Sequence, residues 1–300
     1  MAPAPEKLFL SRLLESPGWK AGNILDVRSL QAFRAGHLAG SAHQPLEGTD
    51  PNWTGAQSLE KELPSIFLPP RHEPLVIIGT RQAEIDLLAA HLAARDRGSV
   101  TPLVLSAQVA DGLPGELKET GPSAHCLWKP PFWLARYEDL LPPPAAGPVL
   151  DLACGSGRAA VWLAERGYRV TGIDWQEEAL ELGRRLASSR QVSCRFLVGD
   201  LRSPGVVPHG RWAAVLNFRF RQPDLLAGIP GLLQPAGVAL VRTFRSAPGY
   251  AGHPHRRYRL EPNELLRYFP AGSCEILAHE ESHDPDGRPA AGIVARKRIP

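Results

Sequence analysis

Three acids in this chain, Asp151, Asp174 and Asp200, lie within or at the end of short apolar runs, and the first precedes a pair of glycines. Val149-Leu-Asp151-Leu-Ala153-Cys-Gly155-Ser-Gly157 is an apolar run with one acid that breaks at two glycines one residue apart. Helical spacing then runs from Arg158 to a glycine stop at Gly167. The pattern predicts a strand, a tight turn and a helix. Glycines belong there because a ligand approaches the backbone more closely than a Cβ allows. The backbone of Ala153, Gly155 and Gly157 is the candidate cradle. Seventeen residues after Gly157, the run Tyr168 to Ile173 ends at Asp174, placed to accept hydrogen bonds from ribose hydroxyls. Trp175, directly after it, is a candidate to lie against adenine.

Two ligand chemistries fit the glycines. Gly155-x-Gly157-x-x-Ala160 satisfies the fingerprint of a dinucleotide site. A pyrophosphate, however, occupies the positive end of the helix and wants no fixed anion beside it. Asp151, four residues before the first glycine, is such an anion. It suits the ammonium and sulfonium of S-adenosylmethionine, which is therefore the expected cofactor. A glycine turn with a purely structural purpose is the third reading.

The same segment resembles the first motif of class I methyltransferases, Asp/Glu-x-x-x-Gly-x-Gly. The resemblance continues through Ser193 to Ser203, through Arg211 to Phe220, and through Gly231 to Phe244 with its Leu-x-Pro-x-Gly turn at Leu233 to Gly237. It implies that Asp200 takes the adenine amino group and that the Leu201 backbone helps hold the ring. It also implies that Asn217, at the tip of the fourth strand, faces the transferable methyl. Ala159 departs from the pattern, since related sequences often carry an acid there. Tyr258 to Phe269 and Glu280 to Lys297, ending Ala-Arg-Lys, resemble the tellurite-resistance-type branch of small-molecule methyltransferases. The implied fold is a Rossmann-like domain with a seven-stranded mixed sheet. In similar proteins the segment corresponding to His125–Leu141 folds over the cofactor. Trp128 is either packed in the core or a lid on the sulfonium.

Asn23-Ile-Leu-Asp26-Val-Arg28, the helical spacing of Leu30 and Phe33, and Gly36-His37-Leu-Ala-Gly-Ser-Ala42 closely resemble the rhodanese domain. That likeness implies a parallel-sheet α/β domain whose catalytic cysteine follows the strand Pro74 to Ile78. Gly79 stands there, before Thr80, Arg81 and a helix from Ile85 to Ala94. The thiolate is the whole mechanism of sulfur transfer, so this domain is expected to be inactive, with Asp26, Arg28 and His37 structural. Docking of a protein partner stays open for it.

The expected fold class is thus α/β: a rhodanese-like domain at 1–115, a Gly/Pro-rich linker at 116–124 and a methyltransferase domain at 125–300. Three hundred residues suit two domains. Residues 1–124 are net −3 and residues 125–300 net +6, the latter almost all from arginine. The four cysteines are widely spaced with no Cys-x-x-Cys pair, which fits reduced cytoplasmic thiols and no metal site. No run approaches the length of a membrane span. Methyl transfer from a sulfonium is an in-line displacement in which a soft or ionised nucleophile needs no base, only orientation and a positive pocket. Arg219, Arg221, Arg242, Arg245, His253, His255, His283 and Arg288 fall at strand tips or loops. Of these, Arg219, His283 and Arg288 are the catalytic candidates for a small thiol or chalcogen-oxyanion acceptor. Asn217-Phe-Arg-Phe220 lacks the paired prolines of DNA base methyltransferases, which argues against a nucleic-acid substrate. Two alternatives remain: a non-catalytic protein that binds S-adenosylmethionine and docks partners, and a methyltransferase of protein or RNA.

Overall fold

The N-terminal part contains the strands β1 (Ile24–Asp26), β2 (His37–Leu38), β3 (Ala42–His43), β4 (Leu75–Gly79), β5 (Val100–Val104) and β6 (Lys118–Glu119). In the computed structural model, which describes residues 4–46, 63–123 and 125–299, four of these form a parallel sheet in the order β3-β1-β4-β5. Leu75 and Ile77 point to one face, against Ile85, Leu88 and Leu92 of the helix Gln82–Ala93. Val76 and Ile78 point to the other, with Phe9 and Leu13 of the helix Pro5–Glu15. A sheet covered on both faces explains why β4 is an unbroken apolar run.

The chain divides into two units, Met1–Lys129 and Pro130–Pro300. Residues 116–123, expected as a linker, lie inside the first unit. β6 pairs antiparallel with β2 in a small second sheet, and Ser123 Oγ donates to the Ser41 carbonyl at 2.7 Å. Ala124, the last residue of that stretch, lies outside the described residues. The described residues therefore carry three sheets, not the two expected.

The second unit contains β7 (Val149–Leu152), β8 (Val170–Asp174), β9 (Arg195–Val198), β10 (Trp212–Phe218), β11 (Leu233–Phe244), β12 (Cys274–His283) and β13 (Pro289–Lys297). They form one sheet in the order β12-β13-β11-β10-β7-β8-β9, in which β13 alone runs antiparallel to the rest. Leu150, Leu152, Val215, Ala239 and Val241 build the core on one face, and Val149, Ala214, Leu216 and Leu240 build it on the other. By the same alternation Asp151 belongs to the second face, where the helix Arg158–Ala164 packs.

The spacing of Trp128, Phe132, Trp133 and Leu140 suggests one apolar helix face, but the helix there is shorter. It spans Phe132–Tyr137, with a single tighter turn at Glu138–Leu140. Pro130 and Pro131 explain this, because a residue before proline is pushed out of the α region while proline itself starts a helix well. Trp128 falls before the break and belongs to the first unit. Trp133 is fully buried instead, seated where Gly292 leaves room; a Cβ at 292 would stand 2.7 Å from the indole. Among the described residues no helix is long and apolar enough to cross a membrane.

Candidate functional site

Strand order reverses between β7 and β10: the chain runs from β7 outward to β8 and β9, then returns to add β10 and β11 on the opposite side. At such a switch point the loops beyond the strand ends part and leave a crevice for a ligand. The glycine turn follows β7, and the tip of β10 stands beside it, with Asn217 in register with Leu152.

Within the turn, Ala153, Gly155 and Gly157 all have left-handed backbone, at φ 56°, 53° and 68°. The two glycines differ in purpose. A Cβ on Gly157 would stand 2.6 Å from the Phe196 ring, so this glycine serves packing and starts the helix Arg158–Ala164. A Cβ on Gly155 would meet nothing within 4 Å, so this glycine faces open space. Ala153 holds its left-handed conformation without that freedom, at about 1–2 kcal/mol.

Asp174 ties the turn to the tip of β8. The Gly155 N–H donates to Oδ2 at 2.8 Å, and the Gln176 N–H donates to Oδ1 at 3.0 Å. Asp151 is 2% exposed, and its Oδ2 has no hydrogen-bond partner. Burial, then the neighbouring Asp174 charge, pushes its carboxyl up to about 8, against one backbone hydrogen bond from Ala160. Burial and the same two acids push the Cys154 thiol far up, and burial with Asp151 pushes Cys194 up to about 12. Asn217 is fully buried, and neither its Oδ1 nor its Nδ2 has a partner. A buried polar atom without a partner costs about 1–3 kcal/mol. Three such atoms lie on the two strands that flank the switch point, Asp151 on one face of the sheet and Asn217 on the other.

The remaining cofactor candidates have these surroundings. Asp200 grips Arg202 with both oxygens, at 2.9 and 3.1 Å to Nε and 2.9 Å to Nη2, and these hydrogen bonds hold its carboxyl down. Leu201 is buried, whereas Trp175 is 61% exposed and has no packing that fixes its ring. The described residues contain no group of His, Cys, Asp or Glu able to hold a metal ion.

Two carboxylates stand among the arginines expected to form a positive pocket. The turn between β12 and β13 is Asp284-Pro-Asp286-Gly287-Arg288, closed by hydrogen bonds of 2.8 Å between the Asp284 N–H and the Arg288 carbonyl and between the Gly287 N–H and the Asp284 carbonyl. Asp284, buried, takes Arg242 Nε at 2.7 Å and Arg219 Nη2 at 3.2 Å; Asp286 takes Arg219 at 2.8 Å and Arg288 at 2.5 Å. Partial burial raises Asp286, but Arg288 and Arg219 together hold it down to about 2. Arg242 also touches Phe132 and Trp133, each ring 4.7 Å from its guanidinium carbon. Arg219 and Arg288 share the ring of Phe244. Burial, and then the positive charge of Arg219, lowers Arg158. Arg221 is diverted to Glu264 at 2.8 Å, Arg245 donates to the Ser246 carbonyl, and His283 is exposed at the end of β12. The acids in the tail were the missed residues. Their Asp-Pro-Asp-Gly turn was visible, but nothing local told which arginines it would meet.

Residues 149–237 match the family described as "Methyltransferase domain". The chain is 48% identical over 59 residues to the putative methyltransferase YqeM of Bacillus subtilis, a match covering 20% of this chain and 24% of that one. It is 36% identical over 135 residues to the demethylmenaquinone methyltransferase of Thermus thermophilus, covering 42% and 60%. Among solved structures it is similar to TehB from Haemophilus influenzae, with 20% identity, 56% and 62% coverage and a TM-score of 0.47. Each match spans less than two thirds of the relative's own length. Residues 149–237 thus match a methyltransferase domain.

Proposed function

We propose that the second unit moves the methyl group of S-adenosylmethionine to a small nucleophile, a thiol or a chalcogen oxyanion. The observations that carry the cofactor half are the buried, unpartnered atoms on Asp151 and Asn217, on the two strands that flank the switch point, and the open side of Gly155 in the turn after β7. In this reading Asp151 receives the ammonium of the methionine part. Asp174 has lone pairs beyond its two backbone bonds for ribose hydroxyls. Asp200 and the Leu201 backbone meet the adenine edge, and Trp175 is free to close on its face. The bound cofactor supplies an electrophilic methyl on a sulfonium; the protein's part is to aim the acceptor and exclude water.

For the acceptor, support comes from the tail's resemblance to tellurite-resistance-type enzymes and from the arginine cluster. Three guanidiniums, Arg219, Arg242 and Arg288, share two carboxylates, Asp284 and Asp286, so the cluster keeps a net positive charge. Arg219 has a half-exposed side chain and N–H groups left for an oxyanion. His283, exposed beside it in sequence, is the third candidate. The first unit reads as an inactivated rhodanese-like module that docks a protein partner, and the spaced cysteines support a cytoplasmic setting.

The test is incubation of the full chain with methyl-labelled S-adenosylmethionine and a panel of thiols, selenite, tellurite, quinols, RNA and a peptide mixture. Label in a methylated thiol or metalloid supports the reading. Label in RNA or peptide alone removes the acceptor class, and binding without transfer to any acceptor moves the protein to the non-catalytic reading.

A further inference from the structure

The protonation of Asp151 has a consequence for cofactor capture. The carboxyl sits on the central strand β7, with Leu216 of β10 opposite it on one side and Gly172 of β8 on the other. It is 2% exposed, and one oxygen is unpartnered. The groups that face it from each neighbour are Asp174 at the tip of β8, the Cys154 thiol of the glycine turn, the Cys194 thiol ahead of β9 and the Ala160 backbone of the helix Arg158–Ala164. None of them is a cation, and both thiols stay protonated through the neutral range. A carboxyl removed from water, beside a second carboxylate and lacking a counter-ion, keeps its proton. An ammonium group brought to the free oxygen reverses that preference.

We propose that Asp151 carries a proton in the free protein, and that arrival of the cofactor's α-ammonium expels it, so that cofactor binding releases a proton to solvent. The O–H bond of the acid breaks, its electron pair stays on the carboxylate, and the proton goes to buffer; the ammonium keeps all of its own protons. This rests on the cofactor reading above. The sign is set by linkage. The free protein binds the proton and the complex does not, so acid opposes binding. With the Asp151 carboxyl near 8 in the free protein, affinity rises about tenfold per pH unit below pH ~8 and levels off above that value. The glycine turn thereby reports pH as well as binding the cofactor.

The experiment is calorimetry of the full chain with S-adenosylhomocysteine, which has the ammonium, and with 5′-methylthioadenosine, which lacks the amino-acid part. Both are titrated at pH ~6.5 in two buffers of different ionisation enthalpy, PIPES and imidazole. The expected result is release of about one proton per S-adenosylhomocysteine and none per 5′-methylthioadenosine. Asp151→Asn is expected to bind S-adenosylhomocysteine without proton release and with a flat pH profile. Buffer-independent heats for S-adenosylhomocysteine, or equal release with both ligands, would overturn the inference while leaving the cofactor reading intact. If the wild-type protein binds neither ligand, the cofactor reading itself fails. Should Asp151→Asn not fold, the contrast between the two ligands on the wild-type protein still decides.

Discussion

Asp174 does two jobs with one carboxylate. It pins the Gly155 amide with one oxygen and its own following turn with the other, and both bonds belong to the protein before any ligand arrives. Asp174→Ala removes the acceptor for two backbone N–H groups as well as the proposed contact to the ribose. We expect it to weaken S-adenosylhomocysteine binding by about 1–3 kcal/mol, measured by calorimetry. Unchanged affinity would take Asp174 out of the ligand site and leave it a structural clamp. Gly157 and Gly155 show why a shared motif need not mean a shared purpose: one is kept small by Phe196, the other faces open space.

The turn between β12 and β13 is the element on which the arginines converge. Asp284 and Arg242 are both nearly inaccessible, with side chains 5% and 3% exposed. Removing one partner of a buried pair leaves the other charge without compensation, so Asp284→Ala is expected to cost about 3–5 kcal/mol in a urea unfolding experiment. A loss below about 1 kcal/mol, the level of an exposed pair, would show that the Phe132 and Trp133 rings suffice for Arg242. Asp286, nearer the solvent, makes a separate prediction in acid. Its carboxyl titrates near 2 in the folded protein, below about 3.9 for the unfolded chain. Its contribution is therefore present above pH ~4 and lost as pH falls through ~2. Asp286→Asn is expected to flatten the decline of the unfolding midpoint across that window; an unchanged slope would assign the acid sensitivity to other carboxylates.

At the scale of the whole molecule, two α/β units stand in one chain, and chemistry has been found for one. In the first, β4 ends at Gly79, and a Cβ there would lie 2.3 Å from Cγ2 of Ile85. The first turn of the following helix thus occupies the space in which a thiol would sit. Gly79→Cys in the full chain is expected to lower the thermal midpoint through overpacking, by about 1–3 kcal/mol of stability. It is expected to form no thiocyanate from thiosulfate and cyanide. Activity in that single variant would show the loop to be intact apart from its missing sulfur, and would return the first unit to the sulfurtransferases.

The sequence by itself determined the parts of this protein that are short in range. Val149 to Gly157, the tips at Asp174 and Asp200 and the apolar run of β4 announce themselves, because periodicity and turn chemistry act over a few residues. The seven-stranded mixed sheet followed from the family resemblance, but the order of its strands is a property of the assembled fold. Tertiary structure alone decided which charges meet. Arg219 finds Asp284 across 65 residues of chain and Arg242 finds it across 42, and no local rule links them. The same holds for Asp151, whose character as an acid depends on strands arriving on both sides to exclude water. It holds for Trp128 too, which two prolines detach from the helix its spacing suggested. Local propensity is written in neighbours, whereas burial and pairing are properties of the assembled fold.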